Sequence, residues 1–192
     1  MNRAEREGRV KIVPIDRKHP VHTVWDLGKA VNNPIWCFQI IPGEPGPRIV
    51  DFYRPEDDDL EQWVLWLNDK GYNGTDYVPH DTVTGLQWGT KRTRIEMLRG
   101  FGRKPKVIEM ASLQDGINAG NVTIRCAVFH KVEGISDERT ERIQTGIDGL
   151  KNYRRQWDDE LKTFRQNPVK DWAEHIGSAW RYMGLAWKEV KI

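Results

Sequence analysis

Asp26 and Asp81 are the residues of this sequence whose settings point most directly to chemistry. Each closes a short apolar run, Thr23-Val24-Trp25 before the first and Val78-Pro79-His80 before the second. If the two runs are parallel strands lying side by side, both carboxylates leave the sheet at its carboxyl edge, where open α/β sheets place their sites. Two carboxylates a few ångströms apart repel each other unless they share a cation. Oxygen donors without cysteine or clustered histidine favour Mg²⁺ or Mn²⁺ over zinc. Two such ions roughly 4 Å apart can activate a water and stabilise the leaving oxygen of a phosphodiester. A single aspartate at a strand end serves equally well as a turn cap, so it is the pairing that distinguishes these two.

A third acid could come from the end of the chain. Asp171, Glu174, His175 and Ser178 are spaced i, i+3, i+4, i+7 and share one helical face, opposite a stripe of Trp172, Ile176, Ala179, Met183 and Trp187. The plainer alternative is a solvated polar face on which Asp171 serves the helix dipole. A second cluster is basic: Lys91, Arg92, Arg94, Arg99, Arg103, Lys104 and Lys106 face only Glu96 among acids. Such a patch could hold the phosphates of duplex DNA without reading sequence, although ordinary surface charge explains it as well. Other chemistries lack their motifs. There is no GxxxxGK[ST] for an ATPase motor and no GxSxG for a serine hydrolase. His19, His22 and His130 have no spaced partner, and Cys37 and Cys126 are too far apart in sequence for a CxxC pair and read as small buried hydrophobes.

The elements that must position these residues follow from hydrophobic period. Residues 22–26, 35–41 and 48–53 read as strands joined by tight turns, an antiparallel meander. At Asp57-Asp58-Asp59 the period changes, and Leu60, Trp63, Val64 and Leu67 predict a helix that Gly71 closes. A fourth strand runs to Asp81, then a helix over about 90–98 and a fifth strand over 106–110. Residues 111–134 fit helix or strand. Ile143, Ile147, Leu150, Trp157 and Leu161 predict one helix from about 136 to 164, and Asn167-Pro168 predicts the start of the last. The order β-β-β-α-β-α-β followed by helices makes an α/β fold, a mixed five-stranded sheet flanked by helices of the RNase H-like kind. Residues 1–20 read as a charged linker or arm and 21–192 as one domain. With 192 residues, 30 Lys+Arg against 28 Asp+Glu and a net charge of +2, any nucleic-acid site must be local. No apolar run reaches the length of a membrane span.

The residues also carry a family resemblance. Val21-His22-Thr23-Val24-Trp25-Asp26-Leu27-Gly28 resembles the first acidic motif of the nuclease domain of tailed-phage terminase large subunits, and Tyr77-Val78-Pro79-His80-Asp81 resembles the second. The likeness continues through Gly71-Tyr72, Asp115-Gly116-Ile117, Leu150-Lys151-Asn152-Tyr153-Arg154, Asp171-Trp172 with His175, and Ala179-Trp180-Arg181-Tyr182. It implies an RNase H-like, two-metal endonuclease that uses Mg²⁺ or Mn²⁺ to cut concatemeric double-stranded viral DNA during genome packaging, in the host cytoplasm. It also implies a terminase ATPase domain, a small terminase subunit and a portal as partners, no membrane, and a monomeric isolated domain. By the same mapping Asp26 and Asp81 fall on metal-binding aspartates, with His80, His175 and Ser178 supporting them from behind. One position departs: where the family's last motif usually has Asp, this sequence has Ser178, which supplies no anionic ligand. Glu174, one turn earlier, is the preferred substitute and Asp171 the second. Two other readings stay open, a non-catalytic docking module for DNA or portal and another RNase H-like nuclease such as a junction resolvase.

Overall fold

Alternating side chains along three short runs build the middle of the sheet. In the computed structural model, which describes residues 1–27, 33–83, 91–134 and 137–190, β2 (His22–Trp25), β3 (Ile35–Gln39) and β4 (Arg48–Tyr53) form the expected meander. Trp25 pairs with Ile35, and Ile35 with Tyr53, so the three strands are in step at this end. The turn expected over 27–33 and the helix start expected at 90 fall partly outside the described residues.

Around this meander the sheet grows in parallel on both sides. β5 (Asp76–Val78) pairs with β2 and β6 (Pro105–Val107) with β5, while β7 (Val128–His130) pairs with β4 and β1 (Val10–Lys11) with β7. The order is β1-β7-β4-β3-β2-β5-β6, a seven-stranded mixed sheet. The expected RNase H-like α/β class holds, with two strands more than the five expected. The additional strands lie together at one edge. One comes from residues 1–20, which carry α1 (Asn2–Arg6) and β1 and bury Ala4 and Val13; the other follows α4 (Leu113–Cys126) in the stretch where the period was ambiguous.

Each face of the sheet is covered by helices, because strands buried on both faces leave no side for water. Leu60, Trp63, Val64 and Leu67 of α2 (Leu60–Asp69) and Ile95 and Leu98 of α3 (Arg94–Gly100) pack on Trp25, Ile35, Cys37 and Val50. On the other face, α5 (Glu138–Asn152) and α6 (Trp172–Ala186) pack on Val24, Trp36 and Phe52. The α2 and α3 ends are built alike. Gly71 (φ 72) and Gly102 (φ 76) take the left-handed conformation, and the next residues, Tyr72 and Arg103, hydrogen-bond back to Leu67 O and Leu98 O. This is the glycine-terminated turn that satisfies a helix's last carbonyls.

The third long helix differs from expectation. α5 ends at Asn152, and β8 (Arg155–Asp158) and β9 (Thr163–Pro168) form a separate hairpin. Trp157 and Leu161, which seemed to extend the helical stripe, are 45% and 74% exposed. Tyr153 leaves the helix so that its ring can lie against Gly177, where any side chain would collide with it. Asn167 and Pro168 belong to β9, and α6 begins after Asp171 instead, whose side chain accepts from Ala173 N at 2.9 Å.

Candidate functional site

The parallel pairing of β2 with β5 carries the two aspartates to one edge. The register Thr23↔Asp76 and Val24↔Tyr77 sets Asp26 level with Pro79, and Asp81, itself exposed, follows two residues later in the 3₁₀ turn His80–Val83. A buried polar chain fixes this register. Asp76, with no exposed surface, accepts from Thr23 Oγ1 at 2.6 Å, Arg103 Nε at 3.0 Å and Lys104 N at 3.2 Å. Trp25 Nε1 donates to the same Thr23 hydroxyl at 2.6 Å, and Asp26 N donates to Pro34 O at 3.1 Å.

Against this edge lies one face of α6, formed by Glu174, His175, Ser178, Arg181 and Tyr182 at helical spacing. His175 Nδ1 is 2.9 Å from Asp26 Oδ2 and 3.6 Å from Glu174 Oε2. Ser178 donates to Glu174 Oε1 at 2.9 Å and accepts from the Arg181 guanidinium at 2.8 Å. Gly116 of α4 makes room for Arg181: a Cβ there would sit 3.3 Å from that of Arg181.

Charge is concentrated here. Burial raises the Asp26 carboxyl above its ordinary value, against the hydrogen bond from His175 that pulls it down. The same hydrogen bond raises His175, outweighing its burial. Tyr182 is pushed up to about 12, first by burial and then by the negative charge of Asp26, with Asp81 and Glu174 adding to it. One tyrosine on α6 therefore feels all three predicted acids.

The other predicted residues are distributed differently. Asp171 caps α6 and pairs with Arg154 at 3.2 Å, which uses its carboxylate at the helix terminus. His80 is exposed beside Asp81. The basic cluster is not one patch. Arg94 is drawn inward to Asp58 at 2.6 Å and Arg103 to Asp76, because a guanidinium buried at 7% or 8% exposure needs a carboxylate partner. Lys104 precedes β6 and so lies at the amino edge, opposite Asp26 and Asp81, and Lys106 pairs with Glu189. Lys91, Arg92 and Arg99 remain exposed, the first two flanking a cavity of about 400 Å³ with Met97 and Phe101.

Sequence reasoning missed Arg54. It follows β4, which runs parallel to β2, and the alignment of Trp25, Ile35 and Tyr53 puts Asp26 and Arg54 at the same level. Its guanidinium lies 6.0 Å from the Trp172 ring centre, and its charge reaches His175. The signal was available in the strand alternation, since Phe52 and Val24 share one face and the residues two further on follow them.

The donor chemistry fits a hard divalent cation, since the acids offer oxygen alone. Among the described residues, however, no three His, Cys, Asp or Glu side chains are gathered closely enough to hold a metal ion.

Neither a protein-family profile nor a curated protein matches the sequence. Solved structures do. The nuclease domain of the bacteriophage SPP1 large terminase, solved with bound Mn, matches with a TM-score of 0.61 over 91% of this chain and 89% of that one, at 12% identity. The large terminase nuclease of the thermophilic phage G20c, solved with bound cobalt, gives 0.51 over 90% and 93% at 15% identity. A large terminase from a thermophilic bacteriophage in complex with ADP gives 0.64 over 95% of this chain at 14% identity, and this chain spans 43% of its length. The chain therefore has the RNase H-like fold of the nuclease domains of phage large terminases.

Proposed function

We propose that this protein is a divalent-metal-dependent endonuclease that cuts double-stranded viral DNA during genome packaging. The observation that carries the reading is the placement of Asp26 just past β2 and of Asp81 in the 3₁₀ turn after the adjacent parallel β5, with His175 of the Glu174–His175–Ser178 face of α6 hydrogen-bonded to Asp26. The bound Mn and cobalt of two proteins sharing the fold support a divalent ion. Asp26 and Asp81 would hold it, and Glu174 is the third acid. Ser178, standing where an aspartate would be expected, serves as the hydrogen-bond donor that orients Glu174. A cation bound there, alone or as one of two, supplies Lewis acidity to a phosphodiester oxygen. His175 keeps the Asp26 carboxylate in one orientation, and Arg181 keeps the Ser178 hydroxyl in one orientation by donating to it. The packaging ATPase, the small terminase subunit and the portal are the proposed partners, and the host cytoplasm the proposed location. No described helix is long and apolar enough to cross a membrane.

The test is plasmid cleavage by the purified chain with Mg²⁺, Mn²⁺ or EDTA. Cleavage is expected with metal and lost with EDTA, with Asp26→Asn and with Glu174→Gln. Cutting that survives Asp26→Asn would sink the assignment. Absence of cutting with every metal, together with retained DNA binding, would instead favour a non-catalytic docking module. Preference for branched over linear duplex would identify a junction-resolving enzyme.

A further inference from the structure

The face of α6 that carries Glu174 and His175 also carries a guanidinium. Arg181 follows Glu174 by seven residues, two helical turns, and Ser178 lies between them. Ser178 is 4% exposed, and both contacts of its hydroxyl run along this face: its proton goes to Glu174 Oε1 at 2.9 Å, and its oxygen accepts from an Arg181 terminal nitrogen at 2.8 Å. One hydroxyl thus orders a carboxylate and a guanidinium while holding them apart. Among the described residues Arg181 forms no ion pair with any Asp or Glu. Arg94, Arg103 and Arg142, by contrast, each meet a carboxylate, Asp58, Asp76 and Asp51 in turn. The Arg181 stem is fixed from the side of α4, where a Cβ on Gly116 would sit 3.3 Å from Arg181 Cβ and 3.6 Å from its Cδ. Its guanidinium carbon lies 5.9 Å from the ring centre of Tyr182, the tyrosine that feels Asp26, Asp81 and Glu174. Burial raises Asp26, Tyr153 and Tyr182 alike, and in each of the three the charge of Arg181 pulls the other way. The positive charge is therefore present at the acids while bound to none of them.

An arginine presents five N–H donors in a planar fork and stays charged throughout the working pH range. Here one donor is committed to Ser178, and Nε, which is buried, has no partner. The negative charge on the outer oxygens of a phosphate must be held while the ester is cut, and a cation fixed beside them in advance lowers that barrier. We propose that Arg181 is a catalytic residue of this site, the guanidinium that takes a non-bridging oxygen of the phosphate being cut, with Ser178 aiming it. The roles along α6 then divide: Glu174 serves the divalent cation, Arg181 serves the phosphate, and Ser178 orders both. The inference rests on the DNA-nuclease reading of the same site.

The experiment measures three quantities on the whole chain: Mn²⁺ binding by isothermal titration calorimetry without DNA, binding of a short blunt DNA duplex by fluorescence anisotropy in EDTA at several salt concentrations, and plasmid cleavage at saturating Mn²⁺. Arg181→Gln is expected to bind Mn²⁺ at least as tightly as the unaltered chain, because a repelling charge is gone. Its DNA binding should show a salt dependence shallower by about one phosphate contact, and its cleavage should be about 100-fold slower. Arg181→Lys should restore the salt slope and only part of the rate, since an ammonium keeps the charge and loses the fork. Ser178→Ala removes the donor that orients Glu174 and should bind Mn²⁺ about tenfold more weakly, which sets the scale of a purely positioning loss. Thermal melting shows which variants are folded. An Arg181→Gln protein that keeps either the salt slope or the cleavage rate of the unaltered chain overturns the proposal. So does one whose Mn²⁺ affinity falls as far as that of Ser178→Ala, which reduces Arg181 to a support for Glu174. Should Arg181→Gln not fold, Arg181→Lys decides, and an unchanged cleavage rate there overturns the proposal too. Each of these results leaves the nuclease reading standing, whereas an unaltered chain that neither binds Mn²⁺ nor cuts removes both.

Discussion

Asp171 and Glu174 stand one turn apart on α6 and separate two roles that the sequence alone left joined. Asp171 caps the helix, so Asp171→Ala should cost about 1 kcal/mol of stability, the usual worth of an N-cap, and leave metal-dependent cleavage largely intact. Glu174→Gln keeps the Ser178 hydrogen bond and removes the charge, so it should lose cleavage with little change in melting temperature. Calorimetry beside a plasmid assay distinguishes them, and a reversed pattern would exchange the two assignments. Arg103 is a sharper case. Its guanidinium is the partner of a carboxylate with no exposed surface, so Arg103→Ala should cost about 3–5 kcal/mol by leaving Asp76 buried and unpaired. It should act through loss of folded protein rather than through DNA affinity, which chemical denaturation followed by fluorescence would show. In the sequence Arg103 looked like one more surface cation, because spacing cannot reveal that a helix end turns a residue inward.

At the scale of elements, what was legible was what periodicity encodes. The meander, α2 and the parallel fourth strand came from alternation and from the i, i+3, i+4 recurrence, and these elements carry Asp26 and Asp81. What was not legible depended on contacts from afar. Trp157 continues a helical spacing, yet α5 stops at Asn152 because Gly177 receives the Tyr153 ring. β7 is three residues long and is defined by its two neighbours in the sheet. The packing of α4 on α6 was equally hidden, because it relies on glycines: Gly120 lies under Trp180, whose Nε1 donates to Gly120 O at 3.0 Å, and a Cβ on Gly184 would strike the backbone of Ala119 and Gly120. Gly184→Ala should therefore cost about 1–3 kcal/mol by forcing the helices apart, and because Arg181 and Ser178 ride on α6 it should also lower cleavage at temperatures where the variant is still folded. Thermal unfolding and a plasmid assay on the same preparation test both parts.

For the whole molecule, acid is the condition most easily varied. Burial holds His22 and His130 below the ordinary imidazole value of 6.5, and each accepts a backbone hydrogen bond through Nδ1, His22 from Thr75 N and His130 from Val13 N, both at 3.0 Å. Both are therefore neutral in the fold while the unfolded chain takes up protons below about pH 6.5, so stability falls as pH drops through that value. His175, raised by Asp26, works the other way: its contribution is complete below about pH 6.5 and is lost as pH rises through its folded value. The two buried imidazoles each favour a lower melting temperature on going from about pH 7.5 to about pH 5.5, and His22→Asn, which keeps an acceptor without a titrating ring, should remove one of these contributions. The glycine-closed ends of α2 and α3 have a further consequence. Each points its next residue at a buried carboxylate, Tyr72 Oη to Asp51 at 2.9 Å and Arg103 to Asp76. Terminating a helix and fastening a strand are thus a single event, and the register that sets Asp26 level with Pro79 is under remote control from the far rim of the sheet. Gly102→Ala, which has open space around it and meets only the strain of its left-handed backbone, should report that control as a loss of about 1 kcal/mol, together with faster amide exchange along β5, many residues from any atom that touches substrate.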